Sequence, residues 1–260
     1  MKRNILLASL GLAVALTGCA PKQHEVKKVH EVHTAHATHH WGYEGEYGPL
    51  HWGDLEPKFH MCKEGKNQSP VDITDTRAIE KKHIQFRYFV GGDDVIFNGH
   101  AVQVNYRPGS FVIIDGHTFA LKQFHFHTPS ENTLEGKHFP MEAHFVHADD
   151  KGNLAVLALF FKEGAENPEL NKILESLSPV QGQDLPLKRP ANASALMPMD
   201  VDYYRYNGSL TTPPCSEGVV WVVFKKPVTA SKAQIERFFN EIGHPNNRPV
   251  QPINARLITR

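Results

Sequence analysis

Two stretches of the chain alternate polar and apolar side chains. In residues 123–127, Gln123, His125 and His127 alternate with Phe124 and Phe126; in residues 142–147, Glu142, His144 and Val146 alternate with Ala143, Phe145 and His147. A period of two is the signature of a β-strand whose faces carry different chemistry. Further short strand-like runs lie at 84–90, 94–97, 102–106, 111–115, 118–123, 154–161 and 219–224. Gly91-Gly92, Asn98-Gly99, Pro108-Gly109 and Asp115-Gly116 punctuate them at hairpin spacing. The pattern predicts a mainly β, α+β fold: one large, twisted, mostly antiparallel sheet in a single domain, with a few peripheral helices.

Two helices are predicted. Asn167-Pro168-Glu169 supplies a cap and a first-turn proline, and Leu170, Ile173, Leu174 and Leu177 follow on one stripe. Ser231-Lys232-Ala233-Gln234 is a capping box, with Gly243 as the stop after Phe238, Phe239 and Ile242. Between the helices, residues 207–215 read as a loop in which Pro213 and Pro214 hold the hydroxyls of Thr211 and Thr212 still.

If the two alternating strands are neighbours, His125, His127 and His144 converge. Three neutral histidines without a fourth protein ligand suit a catalytic zinc centre, because zinc is four-coordinate and the remaining corner takes water. Gln123 and Glu142 lie two residues before a candidate ligand on the same face, where they can orient its second ring nitrogen. Two other readings stand beside this one. The histidines can be half-buried and hydrogen-bonded without a metal, or they can belong to a cupin-type site in which Glu131 is a further ligand. His147 points to the opposite face from His144 and reads as a buried, hydrogen-bonded residue.

The chain has 260 residues, 40% of them hydrophobic, and shows no break in composition, which favours one substantial core. Its 28 Lys and Arg balance 28 Asp and Glu, which argues against a nucleic-acid partner. Met1-Lys2-Arg3-Asn4 and the apolar run 5–16 read as a signal peptide, 1–18, ending in the lipobox-like Leu16-Thr17-Gly18-Cys19. Lipidation of Cys19 would place the protein on the periplasmic face of a bacterial envelope through a membrane anchor. Ordinary cleavage nearby would instead leave a soluble periplasmic protein. Residues 19–40 read as a tether rich in histidine (His24, His30, His33, His36, His39 and His40), with loose zinc gathering as one role. With Cys19 assigned to lipid, export into an oxidising compartment predicts a Cys62–Cys215 disulfide, worth about 2–4 kcal/mol.

Several motifs now fall in order: Trp41-Gly42-Tyr43, residues 65–70 (GKNQSP), Asn98-Gly99-His100, the HxH of residues 125–127, Ser130-Glu131, Glu142-Ala143-His144, residues 210–214 (LTTPP) and Asn247-Arg248-Pro249. Together they closely resemble the α-class carbonic anhydrases, in particular the exported bacterial members. The resemblance spans residues 41–260 and implies a ten-stranded twisted sheet with a conical site. It implies zinc on His125, His127 and His144, with Gln123 and Glu142 behind them. Zinc-bound hydroxide would attack carbon dioxide to give bicarbonate. Glu131 becomes a non-ligand that accepts from the Thr211 hydroxyl, and Thr211 orients the nucleophile. Thr212 lines the site, and Val146, Val156, Leu210 and Trp221 form an apolar wall for the substrate. His100 matches the proton-shuttle position, although by itself it reads as a solvated hairpin histidine. Tyr43 and Asn98 match positions that hold a water chain, and Cys62 and Cys215 match the disulfide of exported members. Such members often form a homodimer, for which the sequence shows no interface. A non-catalytic binding module and a metal-storage protein are the competing classes; the intact ligand set speaks against the first.

Overall fold

The structure, a computed structural model, describes residues 41–80, 84–178 and 180–260. The signal peptide, Cys19 and the histidine-rich tether lie outside the described residues. The strands are β1 (Asp72–Ile73), β2 (Gln85–Arg87), β3 (Gly92–Phe97), β4 (Val102–Tyr106), β5 (Phe111–Ile114), β6 (His117–His127), β7 (Thr133–Leu134), β8 (Met141–Ala148), β9 (Leu154–Glu163), β10 (Leu185–Ala191), β11 (Tyr203–Ser209), β12 (Glu217–Phe224) and β13 (Val228–Ala230). Among the described residues five α-helices accompany them: α1 (Trp52–Leu55), α2 (Met61–Glu64), α3 (Pro168–Leu174), α4 (Ala193–Leu196) and α5 (Lys232–Ile242).

The main sheet runs β10-β3-β4-β6-β8-β9-β12-β11, with β5 on β6, β2 on β5 and β13 on β9. Its pairs are antiparallel except β9–β12 and β9–β13, which are parallel. The sheet is mostly antiparallel, as expected, with eleven strands rather than ten. β9 explains a strand count that depends on short segments: its residues 155–158 pair with β12 and its residues 161–163 with the three-residue β13. β1 and β7 form a separate parallel pair.

Alternation divides the core. Along β9, Ala155, Leu157, Leu159 and Phe161 join one apolar cluster while Val156, Ala158 and Phe160 join another. Phe124, Phe126 and Phe145 pack into the first cluster, where Phe126 lies 4.4 Å from Phe238 of α5. Truncating such a buried phenylalanine typically costs about 3–5 kcal/mol. The same period of two turns His125 and His127 to the other face of the sheet. The histidine strands are direct neighbours, with His125 opposite His144 and His127 opposite Glu142.

Both predicted caps form. The Asn167 side chain accepts from the Glu169 amide, and Ser231 and Gln234 close a capping box. Gly243 ends α5 with φ of 84°, a left-handed conformation that glycine adopts without strain. α3 stops at Leu174, so Leu177 lies beyond the helix although it still packs against the core. β10 carries Pro186 and Pro190 and lies at the sheet's edge, where a missing N–H is tolerated.

Candidate active site

β6 and β8 hold the three imidazoles with ring centroids 4.6–5.4 Å apart. One ligand atom from each lies within 4.8 Å of the others. One nitrogen of His125 and one of His127 is hydrogen-bonded, while His144 Nε2 only lies close to a carboxylate. His125 Nδ1 is 2.8 Å from Gln123 Oε1, His127 Nδ1 donates to the Asn246 carbonyl at 2.7 Å, and His144 Nε2 is 3.1 Å from Glu142 Oε1. These contacts leave Nε2 of His125, Nε2 of His127 and Nδ1 of His144 for a metal. Burial first, and then the neighbouring imidazoles, hold His125 and His144 well below the usual histidine range. Burial also lowers His127, against the Asn246 bond that favours its proton. The rings are therefore in the neutral form a metal requires.

Glu131 faces this cluster, its Oε2 lying 3.5 Å from His127 Nε2 and 3.8 Å from His144 Nδ1. Both Glu131 Oε2 and His127 Nε2 are buried with no hydrogen-bond partner among the described residues. A carboxylate oxygen and an imidazole lone pair left together in the interior fit a cation. Burial pushes the Glu131 carboxyl up to about 8, while the Arg248 amide and the Thr211 hydroxyl, both bonded to it, pull it down. A cation beside it would lower it further. Glu142 is pushed by burial to about 7, and its oxygens accept from the Glu131 and Asn132 amides and the Asn132 side chain.

Residues 47–260 match the family model for eukaryotic-type carbonic anhydrase. The chain belongs to the α-carbonic anhydrase family. A carbonic anhydrase of Pectobacterium carotovorum is 48% identical over 219 residues, covering 84% of this chain and 90% of that protein. The α-carbonic anhydrase of Thermovibrio ammonificans, solved with the inhibitor sulfanilamide, superposes with a TM-score of 0.84 at 51% identity, over 85% of this chain and 99% of its own. That of Photobacterium profundum gives 0.81 at 50% identity, over 85% and 100%. The chain is thus an enzyme of a family that uses zinc, and its three histidines fit a metal site.

In this carbonic anhydrase Thr211 and Thr212 sit just past β11, Thr211 buried and Thr212 half-buried. Their loop is closed by Leu210 N–H to Ser216 O at 2.9 Å and Cys215 N–H to Thr212 O at 2.8 Å. Ser69 and Ser209 exchange amide-to-hydroxyl bonds of 2.9 and 3.1 Å beneath it. Gly208 is required there, since an added Cβ would collide with Ser69 Oγ. Cys62 and Cys215 are joined by the expected disulfide. Val146, Val156, Leu210 and Trp221 share one apolar cluster, and Trp221 lies edge-on to His144 at 4.9 Å.

The carbonic anhydrase site has an aromatic rim. His100 stacks on Trp41, and Tyr43 stands 6.4 Å from the His100 ring, its buried hydroxyl without a hydrogen-bond partner among the described residues. Asn98 is exposed, and its Oδ1 accepts from the amides of His100 and Ala101 at 2.9 Å each. Its side chain thus shapes the turn that presents His100. His147 lies on the far face as expected, between Tyr88 (hydroxyl to Nε2, 2.7 Å) and the Phe145 carbonyl (2.8 Å from Nδ1).

Two residues escaped the sequence reading. Asn246 holds His127 by its carbonyl, accepts from the Thr128 amide at 2.8 Å, and donates to the His100 and Phe126 carbonyls at 2.9 and 3.0 Å. Arg248 is buried, its guanidinium bonded to Gln68 Oε1, Ser69 O and Cys62 O at 2.8–2.9 Å while its amide holds Glu131. The Asn247-Arg248-Pro249 motif pointed at this segment without giving either role.

Proposed function

We propose that this enzyme interconverts carbon dioxide and water with bicarbonate and a proton, using zinc held by His125, His127 and His144. The observation that carries the reading is the convergence of three imidazoles, two of them buried and the third half-buried, with His125 and His127 each hydrogen-bonded through Nδ1. Zinc when bound supplies Lewis acidity that makes hydroxide available from water near neutral pH, a property for which carbonic anhydrases are themselves the type case.

The protein's own groups do the rest. Thr211 donates its hydroxyl hydrogen to Glu131, so only its lone pairs face the reacting centre. There they accept from the attacking O–H group and fix its direction. Val146, Val156, Leu210 and Trp221 offer carbon dioxide an apolar surface without competing donors, and Thr212 lines the cavity beside them. His100 takes the released proton and passes it to buffer, since imidazole changes charge near neutral pH. Tyr43 and the Asn98 turn hold the path between.

We further propose that residues 1–18 are a signal peptide, that Cys19 is lipidated, and that residues 19–40 tether the domain 41–260 to the periplasmic face. A disulfide is consistent with an oxidising compartment. No helix among the described residues is long and apolar enough to cross a membrane.

The test is stopped-flow hydration of carbon dioxide with metal analysis, beside His144→Ala. One zinc per chain and fast hydration that His144→Ala abolishes and sulfanilamide blocks are expected. Tight zinc without hydration would overturn the reading and leave a binding module.

A further inference from the structure

A second imidazole stands against the same tyrosine as His100. The Tyr43 ring lies 6.4 Å from His100 and 5.7 Å from His244. His244 follows Gly243, whose left-handed φ ends α5. Two residues later Asn246 grips both His127 and the His100 backbone, so His244 enters the rim on a segment tied to the site.

His244 is half-buried, within reach of buffer. Its Nδ1 is 3.0 Å from the Pro245 carbonyl, so in the neutral ring Nδ1–H donates there and Nε2 keeps the lone pair. The Tyr43 hydroxyl is buried without a hydrogen-bond partner among the described residues, a polar group left for a relay to use. Burial and, secondarily, the charge of Glu131 push its pKa well above the usual range, so Tyr43 stays protonated and can relay a hydrogen bond.

We propose that His244 is a second proton-relay residue, working beside His100. The proposal rests on the hydration reading above. Carbon dioxide and water give bicarbonate and one proton; that proton passes along hydrogen-bonded water to the Nε2 lone pair of neutral His244, forming an imidazolium. The imidazolium gives the proton to a buffer base and the neutral ring returns, with no net change in the enzyme.

The experiment is stopped-flow hydration by the full zinc-loaded chain at low buffer, comparing wild type, His100→Ala, His244→Ala and the double variant. We expect His244→Ala alone to lower kcat about twofold, and to lower the residual kcat of His100→Ala about fivefold, with kcat/KM unchanged because proton export follows bicarbonate formation. Added imidazole should restore kcat. His244→Gln, which keeps a hydrogen-bonding side chain but cannot carry the proton, should behave like His244→Ala. A double variant no slower than His100→Ala would overturn the proposal while the hydration reading stands. So would kcat and kcat/KM falling together without imidazole rescue, which marks a structural role. A zinc-loaded wild type that does not hydrate carbon dioxide would overturn both.

Discussion

The indole of Trp41 lies flat on the imidazole of His100, with ring centroids 3.6 Å apart and planes 10° from parallel. Trp41 in turn meets Trp52 edge-on at 5.3 Å, and the buried Trp52 donates to the Gly42 carbonyl at 2.7 Å. The orientation of one rim histidine is therefore referred back to the core. Such a stack contributes about 0.5–1.5 kcal/mol, enough to bias a side-chain rotamer several-fold. Trp41→Ala should lower kcat at low buffer by about twofold to threefold with kcat/KM unchanged. Stopped-flow rates across a buffer series would read this directly, and a variant indistinguishable from wild type would deny the stack a part in proton transfer.

Gln123 meets His125 Nδ1 at 2.8 Å on the side away from the cluster. Removing such an orienting group typically weakens metal binding about 10- to 100-fold. Gln123→Ala should keep the fold, because its apolar strand neighbours Phe124 and Phe126 are untouched, yet lose zinc to a chromophoric chelator more readily by that factor.

His147 gives the fold a pH dependence. Burial lowers its pKa from 6.5 to about 4, against hydrogen bonds to the Phe145 and Ala155 backbone that raise it. Between those values the unfolded chain binds a proton that the native chain refuses, so stability falls as pH drops from 6.5 and levels off below about 4. The loss from this one residue is about 3 kcal/mol. Glu131 and Glu142, raised to about 8 and 7, act with the opposite sign over this window, so the His147 share is read as the difference in urea midpoint between wild type and His147→Gln from pH 7 to pH 4.

Cys62 and Cys215 are 153 positions apart. Removing a crosslink over so long a loop should destabilise the chain by about 2–5 kcal/mol. Because the disulfide ties the end of the Thr211–Thr212 loop to Cys62, Cys215→Ser should also reduce kcat/KM. Paired measurements of urea stability and hydration would separate the two effects.

The alternation of residues 123–127 and 142–147 revealed the metal face because side-chain direction in a strand depends only on parity. Adjacency of the two strands was an assumption there, and the register of β6 on β8 supplies it. The capping box of α5 was legible because its signal is local. β10 was not, since Pro186 and Pro190 argue against a strand unless an edge position removes the need for their N–H groups. The end of β11, residues 207–209, falls in the segment that reads as loop and becomes strand by pairing with β12. Asn246 left no trace because its carbonyl orients His127, and every residue has a carbonyl. Only the path of the chain decides which one arrives.

That carbonyl also sets an order of events. His127 is fixed by a residue 119 positions later in the chain, and Glu131 by Arg248, 117 positions later. A growing or partly threaded polypeptide can present all three histidines long before either support exists. The orientation of this imidazole and of its neighbouring carboxyl is thus supplied by residues far along the chain, and it is complete only when those residues are in place.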